Sequence, residues 1–477
     1  MLTFEHAADL GAAGREDAGM TRPATLTRAI QLGWATGELG IATYIGITMS
    51  YLLFYMTQGL GISPAWAGVA LLVPRLWDAV IDPFVGAISD RTRSRWGRRR
   101  PYLLIGGFAF GIGFAMIFQA PAGASEGVKI AYVAAFYLLT STAFTFYDVP
   151  YSSMAAEMTG DYAERTQLIG YKMIAARIGI VVSVIGAPLL FNAGETLAGG
   201  FALMGLAAGA WMIVTALCGF FTTRHAPQIV RPVERFDLGA EYRALRENRP
   251  FLVLWTVFLL QNFAIGASAT TLIYLVIFVM RIDPALIGAM IAVSAVSATL
   301  ATPFWVRLAR RIGKQRTYFI GLTMATVMSL PLLFLPPGLP VLLFVILFVT
   351  GIGDAATQLC PNAMVPDTVE YDEQRTGQRR EGAIFGTWLL CRKLGMAAGA
   401  FVVSLFLSLF GFAAGGDVAV QSDTAMLGIR ISYALIPCSL WIVAMLVLRR
   451  YTLGEAQFDD IKRSIAAARA DRGEKAT

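Results

Sequence analysis

The chain has 477 residues, of which 56% are hydrophobic, 15% charged and 12% aromatic, with a formal net charge of +7. A soluble domain usually carries about 25% charged and roughly 45–50% apolar residues, so this composition excludes disorder, a secreted disulfide scaffold and a large soluble enzyme. Apolar runs of about 20 residues, enough to cross ~30 Å of hydrocarbon at 1.5 Å per helical residue, follow one another along the chain, as in a polytopic membrane protein.

Twelve such runs are predicted, at 30–57, 65–88, 102–120, 130–153, 167–191, 198–222, 251–279, 285–306, 317–336, 339–363, 383–411 and 425–449. Lipid leaves no partner for free backbone groups, and the runs lack period-2 alternation, so each reads as a helix of an all-α protein. The expected organisation is an N-terminal segment at 1–29, a six-helix bundle at 30–222, a central loop at 223–250, a second six-helix bundle at 251–449 and a tail at 450–477. The stretch Met1–Arg28 contains Glu5, Asp9, Glu16 and Asp17 and no apolar core, which does not fit a cleavable signal peptide.

Orientation follows from the basic residues. Arg91, Arg93, Arg95, Arg98, Arg99 and Arg100 crowd the loop after the second run, and Arg307, Arg310, Arg311, Lys314 and Arg316 the loop after the eighth. The central connection carries Arg224, Arg231, Arg235, Arg243, Arg246 and Arg249, whereas 58–64, 192–197, 337–338 and 412–424 carry no Lys or Arg. The basic loops are therefore expected in the cytoplasm of a bacterial-type inner membrane, with both termini on that side. Positive charge spread over such loops does not make a nucleic-acid surface. The four cysteines, Cys218, Cys360, Cys391 and Cys438, lie in or at the runs without a CxxC pattern and read as packing residues. His6 and His225 lie outside the runs, which excludes an intramembrane His relay.

The segment from Pro83-Phe84 to Trp96-Gly97-Arg98-Arg99-Arg100-Pro101-Tyr102 has an echo in Pro303-Phe304 and Ile312-Gly313-Lys314-Gln315-Arg316-Thr317-Tyr318. Two related halves around a midplane site are a common construction of secondary transporters. Charges inside the runs are the next signal, since each costs about 2.5–3.5 kcal/mol at mid-bilayer on insertion scales. Asp78 and Asp82 stand four apart, on one helical face. Two such carboxylates must bind a cation, pair with a base such as Arg75 or one from a facing helix, or hold a proton. Asp148 precedes Pro150, whose missing N–H frees a carbonyl where a helix lines a cavity. It is a candidate for a substrate hydroxyl, for the cation, or for an ion pair with Lys172, Arg177 or Lys393. Of Arg392 and Lys393, one is expected to face the cavity; Glu38 and Asp354 are further candidates, or helix-end and packing residues.

Trp77-Asp78-x-x-x-Asp82-Pro83, then Thr92-Arg93-Ser94-Arg95-Trp96-Gly97-Arg98 and Arg100-Pro101, resembles the glycoside–pentoside–hexuronide:cation symporters, the melibiose permease-like branch of the major facilitator superfamily. Gly86-x-x-x-Asp90-Arg91, Asp148-Val149-Pro150-Tyr151, Asp161-x-x-x-Arg165-x-Gln167, Asp367-Thr368-Val369-Glu370-Tyr371, Thr376-Gly377, Glu381-Gly382 and Lys393 extend the resemblance over nearly the whole core. It implies a major facilitator fold of twelve transmembrane helices in two six-helix halves. It also implies a cation-coupling site at Asp78, Asp82, Thr145 and Lys393, substrate binding by Asp148, Tyr151, Lys172 and Arg177, and a gating loop at Asp90, Arg91, Gly97, Arg98 and Arg99. In the family's pattern a neutral oxygen donor precedes the second carboxylate; here Ile81 stands there, which favours H+ over Na+, with Na+ at Asp78 and Asp82 the other option. A second sugar-contacting acid is Ala42 here, a stacking Trp is Ser152, and a basic contact is Met173 beside Lys172.

The expected function is thus cation-coupled symport of a glycoside or related sugar by alternating access, by a functional monomer in the lipid bilayer, with H+ or Na+ as coupling ion and no cofactor or nucleic-acid partner. Protonation at Asp78 and Asp82 would release Lys393 and favour the outward-facing state, which ion pairs around Asp90, Arg91 and Arg98–Arg100 would close on the cytoplasmic side. The alternative is a non-sugar solute such as a lysolipid on the same scaffold. A polytopic membrane enzyme is a distant rival, because the chain has no HExxH or GxSxG constellation.

Overall fold

The computed structural model describes residues 26–159, 161–224, 226–227, 246–377, 380–415, 421–454, 457–458, 460–461 and 463–464. Most of the 1–29 segment, the central loop and the tail lie outside the described residues, as do His6 and His225.

All regular elements among the described residues are helical. They are α1 (Arg28–Ser50, continued by Leu52–Phe54 and a π turn at Tyr55–Gly59), α2 (Pro64–Arg91), α3 (Arg100–Ile117), α4 (Glu126–Met158), α5 (Tyr162–Phe191) and α6 (Leu197–Thr223). Then come α7 (Arg249–Tyr274, with a π turn at Leu275–Val279), α8 (Leu286–Ile312), α9 (Lys314–Ser329, with a 3-10 turn at Leu330–Leu333), α10 (Pro340–Thr376), α11 (Glu381–Leu409) and α12 (Asp423–Leu448). Ten of these helices are long and apolar enough to cross a membrane, and the bent pair Arg28–Ser50 with Leu52–Gly59 makes eleven. The second predicted run is α2, 28 residues that carry Arg75, Asp78, Asp82, Asp90 and Arg91.

Each predicted run overlaps one helix, and the largest boundary difference is at α10. It runs on to Thr376 through Pro361 and Pro366, well past the predicted end at 363. Apolar content marks where lipid ends, whereas backbone hydrogen bonding carries a helix beyond it. Side chains cap the starts of two helices: Asp161 accepts from the Glu164 N–H at 2.8 Å, so that α5 begins at Tyr162, five residues before the predicted run, and Asn248 accepts from the Phe251 N–H at 3.0 Å. In the two echoing basic loops, Gly97 (φ +93°) and Gly313 (φ +88°) hold positive φ, which explains why both loops keep a glycine.

Helix packing repeats with the sequence. Contacts of α1 with α5 and α6, of α4 with α2 and α3, and of α3 with α6 reappear as α7 with α11 and α12, α10 with α8 and α9, and α9 with α12. Between the two sets, α2 packs on α11 and α5 on α8, an exchange-symmetric pair of contacts, and α1 meets α7 on the axis between them. The shift that places Pro83-Phe84 on Pro303-Phe304 also places Gly68 on Gly288. Both glycines lie at the inter-set seams. A Cβ on Gly68 would overlap the Ser404 side chain of α11, and one on Gly288 would come 2.7 Å from the Ile185 Cα of α5.

The two sets do not meet evenly along their length. One hydrophobic core joins the first six helices to the parts of α7, α8, α10, α11 and α12 at the short-loop end. The parts of α7, α9, α10, α11 and α12 nearer the basic loops have a separate core, built around Phe258, Tyr318, Met364 and Trp388. At the short-loop end, Thr57 shares a hydrogen bond with Tyr274 (2.7 Å), the Gly415 N–H donates to the Thr57 carbonyl (2.9 Å), and Gln58 donates to the Ala413 carbonyl (3.2 Å). The structure is therefore sealed at the short-loop end, and the halves of the core part toward the basic loops.

Candidate functional site

Two polar clusters occupy the region where the sets meet. In the first, α2 contributes Asp78 and Asp82, α4 Thr145 and α11 Lys393. The Lys393 Nζ lies 2.9 Å from Asp78 Oδ2 and 2.5 Å from Asp82 Oδ2. The Thr145 hydroxyl donates to Asp78 and, at 3.2 Å, to Asp82. All four residues of the expected coupling site are thus together, with one ammonium set between two carboxyl groups. The two acids differ in access: the Asp82 side chain is 30% exposed and Asp78 only 6%. Arg75 lies within electrostatic reach of Asp78 but is hydrogen-bonded elsewhere. Its guanidinium donates to the Tyr137 hydroxyl at 2.6 Å and to Thr48 at 3.3 Å. Ile81 is buried beside the acids and offers no oxygen.

In the second cluster, α1, α4 and α5 bring together Glu38, Asp148, Ser152 and Lys172. The Lys172 Nζ is 3.4 Å from Glu38 Oε2 and donates to the Ser152 hydroxyl at 2.8 Å. Ser152 in turn donates to Asp148 at 3.2 Å. Lys172 also sits 5.0 Å from the centroid of the Tyr151 ring, which stacks on Trp34 and Tyr147. The result is a rigid aromatic floor under an ammonium flanked by two acids. Asp148 also acts electrostatically on both Glu38 and Asp82, and Arg392 on Glu38, so the two clusters share one field.

Several expected roles shift in this geometry. Lys172 reaches Asp148 through Ser152, and its direct ion partner is Glu38. Tyr151 is fully buried and its hydroxyl donates to the Trp34 carbonyl at 3.0 Å, so it supports Lys172 with its ring. Arg177 is exposed, five residues beyond Lys172 and about 140° round α5 from it. Arg392 is exposed and Lys393 is the base turned into the site. Ser152, where the family pattern has a stacking ring, is the hydroxyl that connects Lys172 to Asp148; the substitution alone carried no hint of that link.

The expected gating residues form a third cluster, within the first six helices. Arg99 pairs with Asp90, donates to Ser89 at 2.5 Å and lies 2.8 Å from Glu157, which also takes Arg98 at 2.7 Å. Arg91 is exposed and Gly97 supplies the turn. Glu157, on the last turn of α4, is the residue the motif reading missed; its only sequence signal is an acid near the end of a span. These pairs fasten α2 and α3 to α4 while the basic-loop end is parted, so in this state they brace one set of helices and do not bridge the two.

A family description, MFS/sugar transport protein, matches residues 33–455. The chain is 30% identical over 441 residues to the symporter YnaJ of Bacillus subtilis (strain 168), covering 91% of this chain and 94% of that protein. It is 30% identical over 444 residues to the glucuronide carrier protein homolog of Escherichia coli (strain K12), covering 90% and 93%. Among solved structures, an inward-facing, unoccupied bacterial homolog of the human lysosomal transporter Spinster aligns with a TM-score of 0.64 at 14% identity, over 91% of this chain and 96% of that one, a likeness of fold.

Proposed function

This chain belongs to the MFS/sugar transport protein family, and on that premise we propose that it is a proton-coupled symporter of glycosides or related sugars in a bacterial inner membrane, with its termini in the cytoplasm. The family is one of multi-pass membrane transporters, not enzymes. The observation that carries the reading is Lys393 held between Asp78 and Asp82, because it joins the two sets of helices through charges that a cation can replace.

With both acids ionised, Lys393 draws α11 onto α2. A proton on Asp82, the more accessible acid, removes one of the two attractions and loosens that seam. A proton needs one carboxylate, whereas Na+ calls for several oxygens; Ile81 and the occupying ammonium leave few of these, which supports H+. The substrate site is Glu38, Asp148, Ser152 and Lys172: acids accept sugar hydroxyls, the ammonium donates, and the Tyr151 ring backs the face. The two six-helix units, 30–222 and 251–449, rock about the α1–α7 contact.

Reconstituted vesicles test the reading. A labelled panel of glycosides and glucuronides should accumulate when an inward proton gradient is imposed and should stop accumulating when it is collapsed. Accumulation indifferent to proton and sodium gradients would sink the coupling claim.

A further inference from the structure

Beyond the coupling site, a further carboxyl stands alone in the second set of helices. Asp354 lies on α10, about 21 Å from the Pro340 end at 1.5 Å per residue, and so near mid-bilayer. The opposite side of α10 is settled by packing. Gly353 and Ala356 approach Met324 and Gly321 of α9, and Ile352 and Ala355 pack with Trp305 and Ala298 of α8. Asp354, Gln358 and Asn362 recur every four residues on the remaining face, where Gln358 and Asn362 are exposed. That face is flanked by α7 and α11: Gln261 donates to the Thr357 carbonyl at 3.0 Å, and Trp388 donates to Asn362 at 3.1 Å. The stripe therefore looks into the cleft between the sets and not into lipid.

Among the described residues the Asp354 carboxyl has no ion pair and no side-chain hydrogen bond. No Lys or Arg acts on it from α7, α8, α9, α11 or α12; the titratable group within reach is the Tyr433 hydroxyl, on the π turn of α12. Asp78 and Asp82 have Lys393, and Glu38 has Lys172, but Asp354 has no base to balance it. While the cleft admits water an ionised carboxylate is tolerable there. Closing the cleft over it, with no counter-charge, is not, unless it is neutralised first.

We propose that Asp354 is a second proton-binding carboxyl, which takes up a proton each time the cleft closes around it and releases it when water returns. The step is a plain protonation: water-borne H+ adds to the carboxylate oxygen before the cleft closes and returns to water on whichever side the cleft next opens. This rests on the symport reading for its use, but not for its chemistry. Two arms keep the two apart. Infrared titration of the full-length protein in lipid nanodiscs, in H2O and D2O, should show a protonated-carboxyl band that persists in Asp82→Asn and is missing in Asp354→Asn. In vesicles of Asp82→Asn, which keeps exchange, exchange of a nitrophenyl glucuronide probe should slow as pH rises, because the cleft closes only over a protonated Asp354, and adding Asp354→Asn should remove that slope. The same band in Asp354→Asn and wild type, or a pH slope of exchange that survives Asp354→Asn, would overturn the proposal. If the wild type moves no probe in response to a gradient, the symport reading fails, and the infrared band still decides whether Asp354 holds a proton. Size-exclusion chromatography of the isosteric Asn variant checks that it folds.

Discussion

The Lys393 Nζ lies 2.5 Å from Asp82 Oδ2 and 2.9 Å from Asp78 Oδ2, so a single ammonium on α11 pins two carboxylates on α2 across the junction of the two helix sets. Removing one member of such a buried group leaves charge uncompensated, at a cost of about 3–5 kcal/mol. Lys393→Ala should therefore lower thermal stability and abolish gradient-driven accumulation together. Asp82→Asn should keep the fold, abolish accumulation and spare exchange of substrate across the vesicle. Uphill uptake by Asp82→Asn at the wild-type level would remove Asp82 from the coupling step.

Glu38 holds Lys172 in place at 3.4 Å, with Ser152 at 2.8 Å on the other side. A hydrogen bond to a charged group contributes roughly 1.5–3 kcal/mol, or about 10–150-fold in affinity. Glu38→Gln should weaken glycoside binding by an amount in that range while leaving proton-driven conformational change intact. Calorimetric titration of the purified variant against the glycoside panel measures it. Unchanged affinity would show that the sugar does not depend on this pair.

Gly68 and Gly288 lie where α2 meets α11 and where α8 meets α5. A Val at either place has no room while the short-loop end is sealed, and overpacking typically costs 1–3 kcal/mol. Gly68→Val and Gly288→Val should shift the population toward the state open at the short-loop end, by roughly 5–150-fold for that energy. Spin-label distances between the ends of α1 and α7 should lengthen. Distances matching wild type would mean that the seams do not set the closed state.

The Glu157 carboxylate accepts from both Arg98 and Arg99, and Arg99 is buried. Glu157→Gln should lower the melting temperature measured in detergent and reduce the transport rate, with glycoside affinity within about twofold of wild type, because the cluster sits on α2, α3 and α4 away from Lys172. A large loss of affinity with normal stability would assign Glu157 to the substrate path.

Much of the first cluster was legible because bilayer cost makes charge conspicuous. Asp78 and Asp82 stood out by helical spacing within an apolar run, and Lys393 as one of two bases in another. The second cluster was legible in part. Lys172 and Asp148 were visible, but Ser152 as their connector was not, since a serine in a span usually satisfies its own backbone. Arg75 shows the converse. Its place one turn before Asp78 suggested an ion pair, and the structure sends it to Tyr137 and Thr48, because side-chain direction, not sequence distance, selects partners.

The sequence by itself determined that this is a helical membrane protein, the order of its spans, which loops are basic and which few charges lie within the membrane. These follow from local properties: hydropathy, helical period and the cost of burying charge. The pairing of Lys393 with Asp78 and Asp82 was already expected; only the tertiary structure decided that Glu38 holds Lys172, that the arginines after α2 brace one set of helices, and that Asp354, without an ion partner among the described residues, faces the cleft. Those are relations between helices far apart in the chain, fixed by which faces pack and at what depth, and no local pattern carries that information.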